Sequence, residues 1–190
     1  MKNLVLRAAL ALALLFLSCD ILTVNEFEPT GSQFTINSNI NVISITGDPD
    51  LSDKGPMTIA FKGSSRTSGT ETDVLPAGLL LVRRNSETQH LLFLKDQAVT
   101  AQTSPTKTLV GTFCCNKYRN IPDAGDTFDL GPVTDNAGLQ QIIGIVKNKN
   151  ISGSSNMWMV QHAVQMVTDS TGLTQAYIDS LNALPPEPTD

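Results

Sequence analysis

The sequence predicts an α+β fold in which an antiparallel β-sandwich or barrel-like part precedes a small helical part. From about residue 33 onwards, short apolar or alternating runs are separated by Gly, Pro, Asp and Asn, as in antiparallel strands. After Pro122 the apolar residues recur every three or four positions, which is typical of helices. Because the strands come first and the helices follow, we expect an α+β domain.

The expected domain organisation follows this change of pattern. The predicted parts are a signal peptide (1–18), a tether (19–32), a β-rich part (33–117), a helical part of the same domain (118–184) and a flexible tail (185–190). The roughly 170 residues after the predicted signal are enough for one domain with its own core.

The strands are predicted from runs that alternate in polarity or are short and apolar. Their sequences are QFTINSNINVISITG, PMTIAFKG, AGLLLVRR, QHLLFLKDQAVTA and TKTLVGTFCCN. Two stretches between them, TGDPDLSDKGP and GSSRTSGTETD, are rich in residues that favour turns. We expect both of these stretches to be polar loops.

Three helices are predicted in the second half of the chain. The stretch TDNAGLQQIIGIVKNKN begins with Asp and Asn, which favour helix N-termini, and continues with apolar residues at helical spacing. The stretch MWMVQHAVQMVTDSTG has an apolar stripe from Met157 to Val167. The third, LTQAYIDSLNAL, ends before Pro185 and Pro186, which would interrupt a helix.

The N-terminal residues have the pattern of a secretory signal. Lys2 and Arg7 make the first residues of the chain positive. The apolar run AALALALLFLS that follows is too short to span a bilayer as a helix. Ser18 and Cys19 then resemble the lipobox of bacterial lipoproteins, in which the cysteine becomes the lipidated first residue. The resemblance implies a lipid-anchored protein of the bacterial cell envelope, facing outward or into the periplasm. Ordinary signal cleavage near Ser18 is the alternative.

The charge of the predicted mature chain argues against a nucleic-acid partner. Without Lys2 and Arg7 the chain has 11 basic and 18 acidic residues, a net charge of −7. The sequence has no cluster of Lys and Arg that could neutralise a phosphate backbone. We therefore expect no nucleic-acid partner, and the acidic surface suits solubility outside the cell without indicating a particular partner.

The stretch TFCCNKYRNIP places Cys114 and Cys115 at the end of a predicted strand. Neighbouring side chains of a strand point to opposite faces, so Cys115 shares a face with Leu109 and Phe113. We expect that face to be the sandwich core and Cys114 to face the helices. A disulfide between sequence neighbours is strained and closes no sizeable loop. A disulfide is thus not expected to hold the fold together, and three interpretations of the pair stay open: a disulfide between them, two small buried hydrophobes, or a nucleophile in one of them.

Gln161 lies within the apolar stripe of the second predicted helix, next to Val160 and close to Ala163. A glutamine among core residues needs hydrogen-bond partners for its side-chain amide. The simplest interpretation is that the amide bonds to nearby backbone and positions the helix.

These motifs together resemble the thioester domains of bacterial surface adhesins. The shared features are an aromatic residue followed by Cys at a strand end, a proline soon after, and a helix carrying Gln-x-Ala-aliphatic. The resemblance covers VLPAGLLLVRRNSETQHLLFL, TFCCNKYRNIP, LQQIIGIV and VQHAVQMVTD, within residues 74–184. It implies that the Cys114 thiolate attacks the Gln161 amide carbon and releases ammonia. The thioester would then acylate an amine on a surface protein or other ligand.

The resemblance leaves two functions open. The family has an aromatic residue after the cysteine and another four residues after the glutamine, where this chain has Cys115 and Gln165. One function is adhesion through a thioester, which is at most a single-turnover acyl transfer. The other is a structural or interaction lipoprotein with the same scaffold and no such bond.

Other candidate chemistry is weaker. A cysteine enzyme would pair Cys114 with His162 and Asp169, but no surrounding motif supports it. We predict no cofactor and no metal, since the two histidines lack ligand spacing. The aspartates of PDAGDTFDLG do not have EF-hand spacing and are expected in a turn that leads into a strand. Trp158 is expected to be a core or interface anchor.

Overall fold

A computed structural model describes residues 26–48, 55–169 and 171–188. The predicted signal peptide (1–18), Cys19 and the first part of the predicted tether lie outside the described residues. The described elements are β1 (Gly31–Gln33), β2 (Ile40–Asp48), β3 (Met57–Ser65), β4 (Glu71–Leu75), β5 (Leu79–Arg83), β6 (Leu91–Leu92), β7 (Gln97–Ala101), β8 (Thr106–Cys114), β9 (Phe128–Thr134), α1 (Ala137–Val146), α2 (Ser154–Thr168) and α3 (Gln175–Asn182).

Seven of the described strands form an antiparallel sheet in the order β1-β9-β5-β6-β8-β3-β2. The sheet curls back on itself, because Thr46 of β2 bridges to Thr127, which directly precedes β9. Next to this bridge the Gly47 amide donates to the Asp126 carbonyl at 3.1 Å. Strands β4 and β7 pair with each other as a separate ribbon. The α+β class and the sandwich-like character of the strands are confirmed.

The closed shape of the sheet produces two hydrophobic cores. The strand core lies between strands; its buried members include Ile45, Ile59, Phe61, Leu79, Leu81, Leu91, Phe93, Val110 and Cys114. The helix core lies between the sheet and the helices; its buried members include Leu80, Leu92, Leu94, Phe113, Cys115, Leu139, Ile142, Val160 and Val164. Successive residues of β5, β6 and the end of β8 therefore alternate between the two cores.

The three helices form where their spacing predicts them. The Asn136 side chain caps α1 by accepting from the amides of Gly138 and Leu139, and the Thr174 side chain caps α3 through the Tyr177 amide. The apolar stripe of α2 faces the helix core through Val160 and Val164. Trp158 lies off this stripe and is 60% exposed, so it is not a core residue.

The structure differs from the predicted elements at several places. The predicted strands QFTINSNINVISITG and QHLLFLKDQAVTA are each divided between two strands, β1 and β2 in the first and β6 and β7 in the second. The predicted loop GSSRTSGTETD contains the end of β3, which pairs with β2 and β8, and the start of β4, which pairs with β7. The range 118–184 contains β9 as well as the helices, so the sheet extends past the predicted boundary. Residues 185–187 of the predicted tail bond to the α1–α2 connection: the Asn150 amide donates to Pro185 O, and the Glu187 amide donates to Asn148 O.

Candidate functional site

The structure brings Cys114 and Gln161 into direct contact. Cys114 is the last residue of β8, and Gln161 lies at the middle of α2 with 2% of its surface exposed. The Cys114 amide donates to Gln161 Oε1 at 2.8 Å, and Gln161 Nε2 donates to the Cys114 carbonyl at 2.8 Å. The contact therefore joins the side-chain amide to the cysteine backbone through two hydrogen bonds.

The edge of β8 explains why an amide fits at this position. The Cys115 amide donates to His90 O at 2.8 Å, on the β6 side of the strand. Consecutive backbone amides of a strand point to opposite edges, so the peptide groups of Cys114 point towards the β3 edge. Strand β3 runs antiparallel to β8 and begins at Met57, opposite Thr112. No residue of β3 therefore lies opposite Cys114. The Gln161 amide, which has the donor and acceptor of a peptide group, takes the place of the next strand residue.

The two thiols lie in different cores, and the predicted assignment of their faces is wrong. Cys114 belongs to the strand core with Val110 and Leu91, whereas Cys115 belongs to the helix core with Phe113. The alternation along β8 is as expected, but both faces of the strand end are buried. The bulky Phe113 marks the core beneath the helices, and Leu109 on the same face is 40% exposed.

Burial keeps both thiols protonated at neutral pH. Both cysteines are free thiols. Burial raises the pKa of Cys114 to about 12. Burial first, and then the nearby Cys114 and Asp169, raise the pKa of Cys115 well above its usual value. Because the thiolate is the nucleophilic form, neither sulfur is activated in this environment.

The residues after Cys115 are tied to the C-terminal end of α2. Asn116 has a positive φ of 66°, which turns the chain away from the sheet. Its amide donates to Thr168 Oγ1 at 3.2 Å, and its side chain hydrogen-bonds to the backbone of Phe27. Lys117 Nζ lies 3.6 Å from the Asp169 carboxylate. Strand β8, helix α2 and the segment that enters the domain at Phe27 thus meet at one place.

A polar cluster beside this place was not found by sequence reasoning. The Glu26 carboxylate accepts from Arg119 Nε at 3.1 Å and Nη2 at 2.7 Å, and it also pairs with Arg83. Hydrogen bonds from Arg119 and Arg83 lower the pKa of Glu26 to about 2. The partners are 93 and 57 residues apart in the chain, so no local pattern could have indicated the cluster.

His90 lies beside the same cluster. Its Nδ1 accepts from the Arg83 amide at 3.3 Å, and the residue is buried. Burial is the main cause that lowers the pKa of His90 to about 4, and the nearby Arg83 lowers it further. The ring is therefore neutral at pH 7 and acts as a hydrogen-bond acceptor inside the fold.

The other predicted chemical residues are not assembled into a site. His162 is exposed and its ring lies 5.6 Å from that of Tyr177, whereas the Cys114 thiol lies in the strand core. Asp123 and Asp126 accept backbone hydrogen bonds within their own turn, as expected. Asp129 pairs with Arg84. Within residues 26–48, 55–169 and 171–188, no group of three or more His, Cys, Asp and Glu is arranged to hold a metal.

Comparisons with known proteins assign this chain to no family. No family model matches the sequence, and neither a curated protein nor a solved structure is significantly similar to it. None of the helices in the described part of the chain is both long enough and apolar enough to cross a membrane. The resemblance to thioester domains therefore depends on the motifs quoted above.

Proposed function

We propose that this chain is an exported, lipid-anchored protein of the bacterial cell envelope whose domain serves as a structural or interaction module. In this proposal the contact between Cys114 and Gln161 holds helix α2 to the sheet without a covalent bond. The observation that carries it is that both polar atoms of the Gln161 amide already bond to the Cys114 backbone at 2.8 Å. A glutamine with both groups satisfied in a buried place has a complete structural role.

The state of the thiols supports the same proposal. Formation of a thioester requires the Cys114 sulfur to lose its proton and to reach the amide carbon of Gln161. The pKa of that thiol is raised to about 12, and its side chain packs among strand residues rather than helix residues. Cys115 and Gln165 also stand where the adhesin family has aromatic residues, so the motif is incomplete.

Adhesion through a thioester is the second candidate, and the closeness of the two residues favours it. In that reaction the Cys114 sulfur bonds to the amide carbon of Gln161, the carbon–nitrogen bond breaks, and the nitrogen leaves as ammonia with the thiol proton. An amine on a surface ligand would later displace the sulfur and restore the thiol. Such a step is a single acyl transfer rather than turnover.

Intact mass spectrometry of the chain from residue 20 onwards, denatured and unreduced, separates these functions. We expect the full unmodified mass. A deficit of one ammonia that disappears in both Cys114→Ala and Gln161→Ala would overturn the proposed role and establish the thioester. A deficit of two hydrogens that a reducing agent reverses would instead show a bond between the neighbouring cysteines.

The lipid anchor is tested separately in the full-length chain. We expect the chain to partition into detergent after extraction from bacterial membranes, and a Cys19→Ala variant to remain in the aqueous phase. Equal partitioning of the two variants would contradict the anchor.

A further inference from the structure

We propose that the loop at residues 117–121 docks into the headgroup region of the membrane that carries the lipid anchor. The inference rests on the proposed function, because it takes Cys19 as the site of the lipid. It adds an orientation: the end of the domain at which β8 and α2 meet faces the bilayer.

The loop has the composition of a membrane-interface contact. Tyr118 is 65% exposed and Ile121 is 64% exposed, and Lys117 and Arg119 lie between and beside them. Tyrosine favours the interface because its ring is apolar and its hydroxyl is polar, and basic side chains lie readily at the headgroup level. Single exposed apolar residues are common on protein surfaces, so the position of the loop must carry the argument.

The chain enters the described domain directly against this loop. The Glu26 carboxylate accepts two hydrogen bonds from Arg119, which lies between Tyr118 and Ile121. The next residue, Phe27, is buried in the helix core. The part of the predicted tether (19–32) at which the chain enters the described domain is therefore held against the loop.

The length of the tether then limits which surface can reach the bilayer. Six residues lie between Cys19 and Glu26, and a fully extended chain over these seven residue steps spans at most about 25 Å. A compact domain of this size is about 40 Å across. The surface around Glu26, which includes the loop, is therefore close to the membrane, whereas the opposite end of the domain is out of reach.

The loop is also held in place before any contact forms. The Asn120 amide donates to Glu87 O at 2.9 Å, and the Gln89 amide donates to Asn120 O at 3.1 Å. Lys117 pairs with Asp169 and its Nζ lies 4.8 Å from the centre of the Tyr118 ring. Because the loop is already ordered, docking costs little conformational entropy.

The experiment places a fluorescent probe at the loop of the full-length, lipidated chain. Tyr118→Trp is made in a Trp158→Phe background. Because Trp158 is the one tryptophan of the natural sequence, the loop then carries the only tryptophan of the variant. The matched control is Leu109→Trp in the same background. Leu109 is also partly exposed, but it lies five residues before the end of β8, about 16 Å away along the strand. Both proteins are reconstituted into vesicles of ordinary or brominated phosphatidylcholine, since bromine quenches tryptophan within the bilayer.

We expect the emission of the Tyr118→Trp protein to fall in brominated vesicles and that of the Leu109→Trp protein to remain unchanged. If the chain floats with the vesicles but neither tryptophan is quenched, docking of the loop is refuted while the lipid anchor stands. Equal quenching of both tryptophans would also refute it, because the domain would then have no preferred face. A chain that carries no lipid and does not float refutes the anchor of the proposed function and this inference with it.

Discussion

Replacing Gln161 by methionine tests the central contact of the structure. Methionine has a similar length, shape and helix propensity, so Gln161→Met removes the amide while the helix and its packing are retained. The change leaves the amide and carbonyl of Cys114 buried without their partner. Each unsatisfied buried group costs about 1–3 kcal/mol, so we expect a loss of about 2–6 kcal/mol in the free energy of unfolding. Since total stabilities are about 5–15 kcal/mol, this loss is large.

The assay is urea unfolding of the chain from residue 20 onwards, followed by the fluorescence of Trp158. The matched control is Gln165→Met, which makes the same change one turn later on α2. Gln165 is partly exposed, and its side chain makes no hydrogen bond with the described residues, so a change within about 0.5 kcal/mol is expected. In thermal unfolding, Gln161→Met should lower the midpoint by about 4–24 °C. Equal stabilities of the two variants would show that the contact contributes nothing, and its proposed role in holding α2 to the sheet would be refuted.

Three further predictions concern titration and burial. The unfolded chain protonates His90 near pH 6.5, but the folded chain does so only at about 4, so the free energy of unfolding should fall by about 3 kcal/mol as the pH drops through this window. His90→Asn should flatten that fall in urea titrations, and an unchanged slope would contradict the buried neutral ring. The depressed pKa of Glu26 stabilises the fold above about pH 4.5, and this contribution should disappear as the pH falls to about 2. The thermal midpoint of the wild type should be lower at pH 2.5 than at pH 5, and this difference should be smaller in Glu26→Gln. An equal difference in the variant and the wild type would count against the ion pairs. Cys114 and Cys115 should both be inert to a thiol reagent at pH 8 until urea unfolds the chain, and a rapid reaction in the absence of urea would show that one thiol is accessible.

The local features of the chain could be predicted from the sequence because they depend on near neighbours. The cap at Asn136 and the stripe from Met157 to Val167 follow from residues within a few positions of one another. The alternation along β8, which separates Cys114 from Cys115, follows from the same kind of local geometry. The apolar runs that form β3, β5 and β8 were likewise visible, because each is short and bounded by turn residues.

The pairing of distant segments could not be predicted in this way. The strand at Glu71–Leu75 begins with polar residues that match a loop, and its strand character depends on its partner β7. The ion pairs of Glu26 join residues that are far apart in the chain. Nothing in the composition near either end indicates the other.

For the candidate site, the sequence by itself determined that Gln161 is buried on a helix and that the two neighbouring cysteines have opposite faces. Only the tertiary structure decided which face each thiol occupies and what the amide of Gln161 contacts. The physical reason is the closure of the sheet, which creates a second core and buries both sides of the end of β8. Strand β3 starts only at Met57, opposite Thr112, and so leaves the Cys114 peptide groups for a side chain to satisfy, and α2 brings Gln161 to that position.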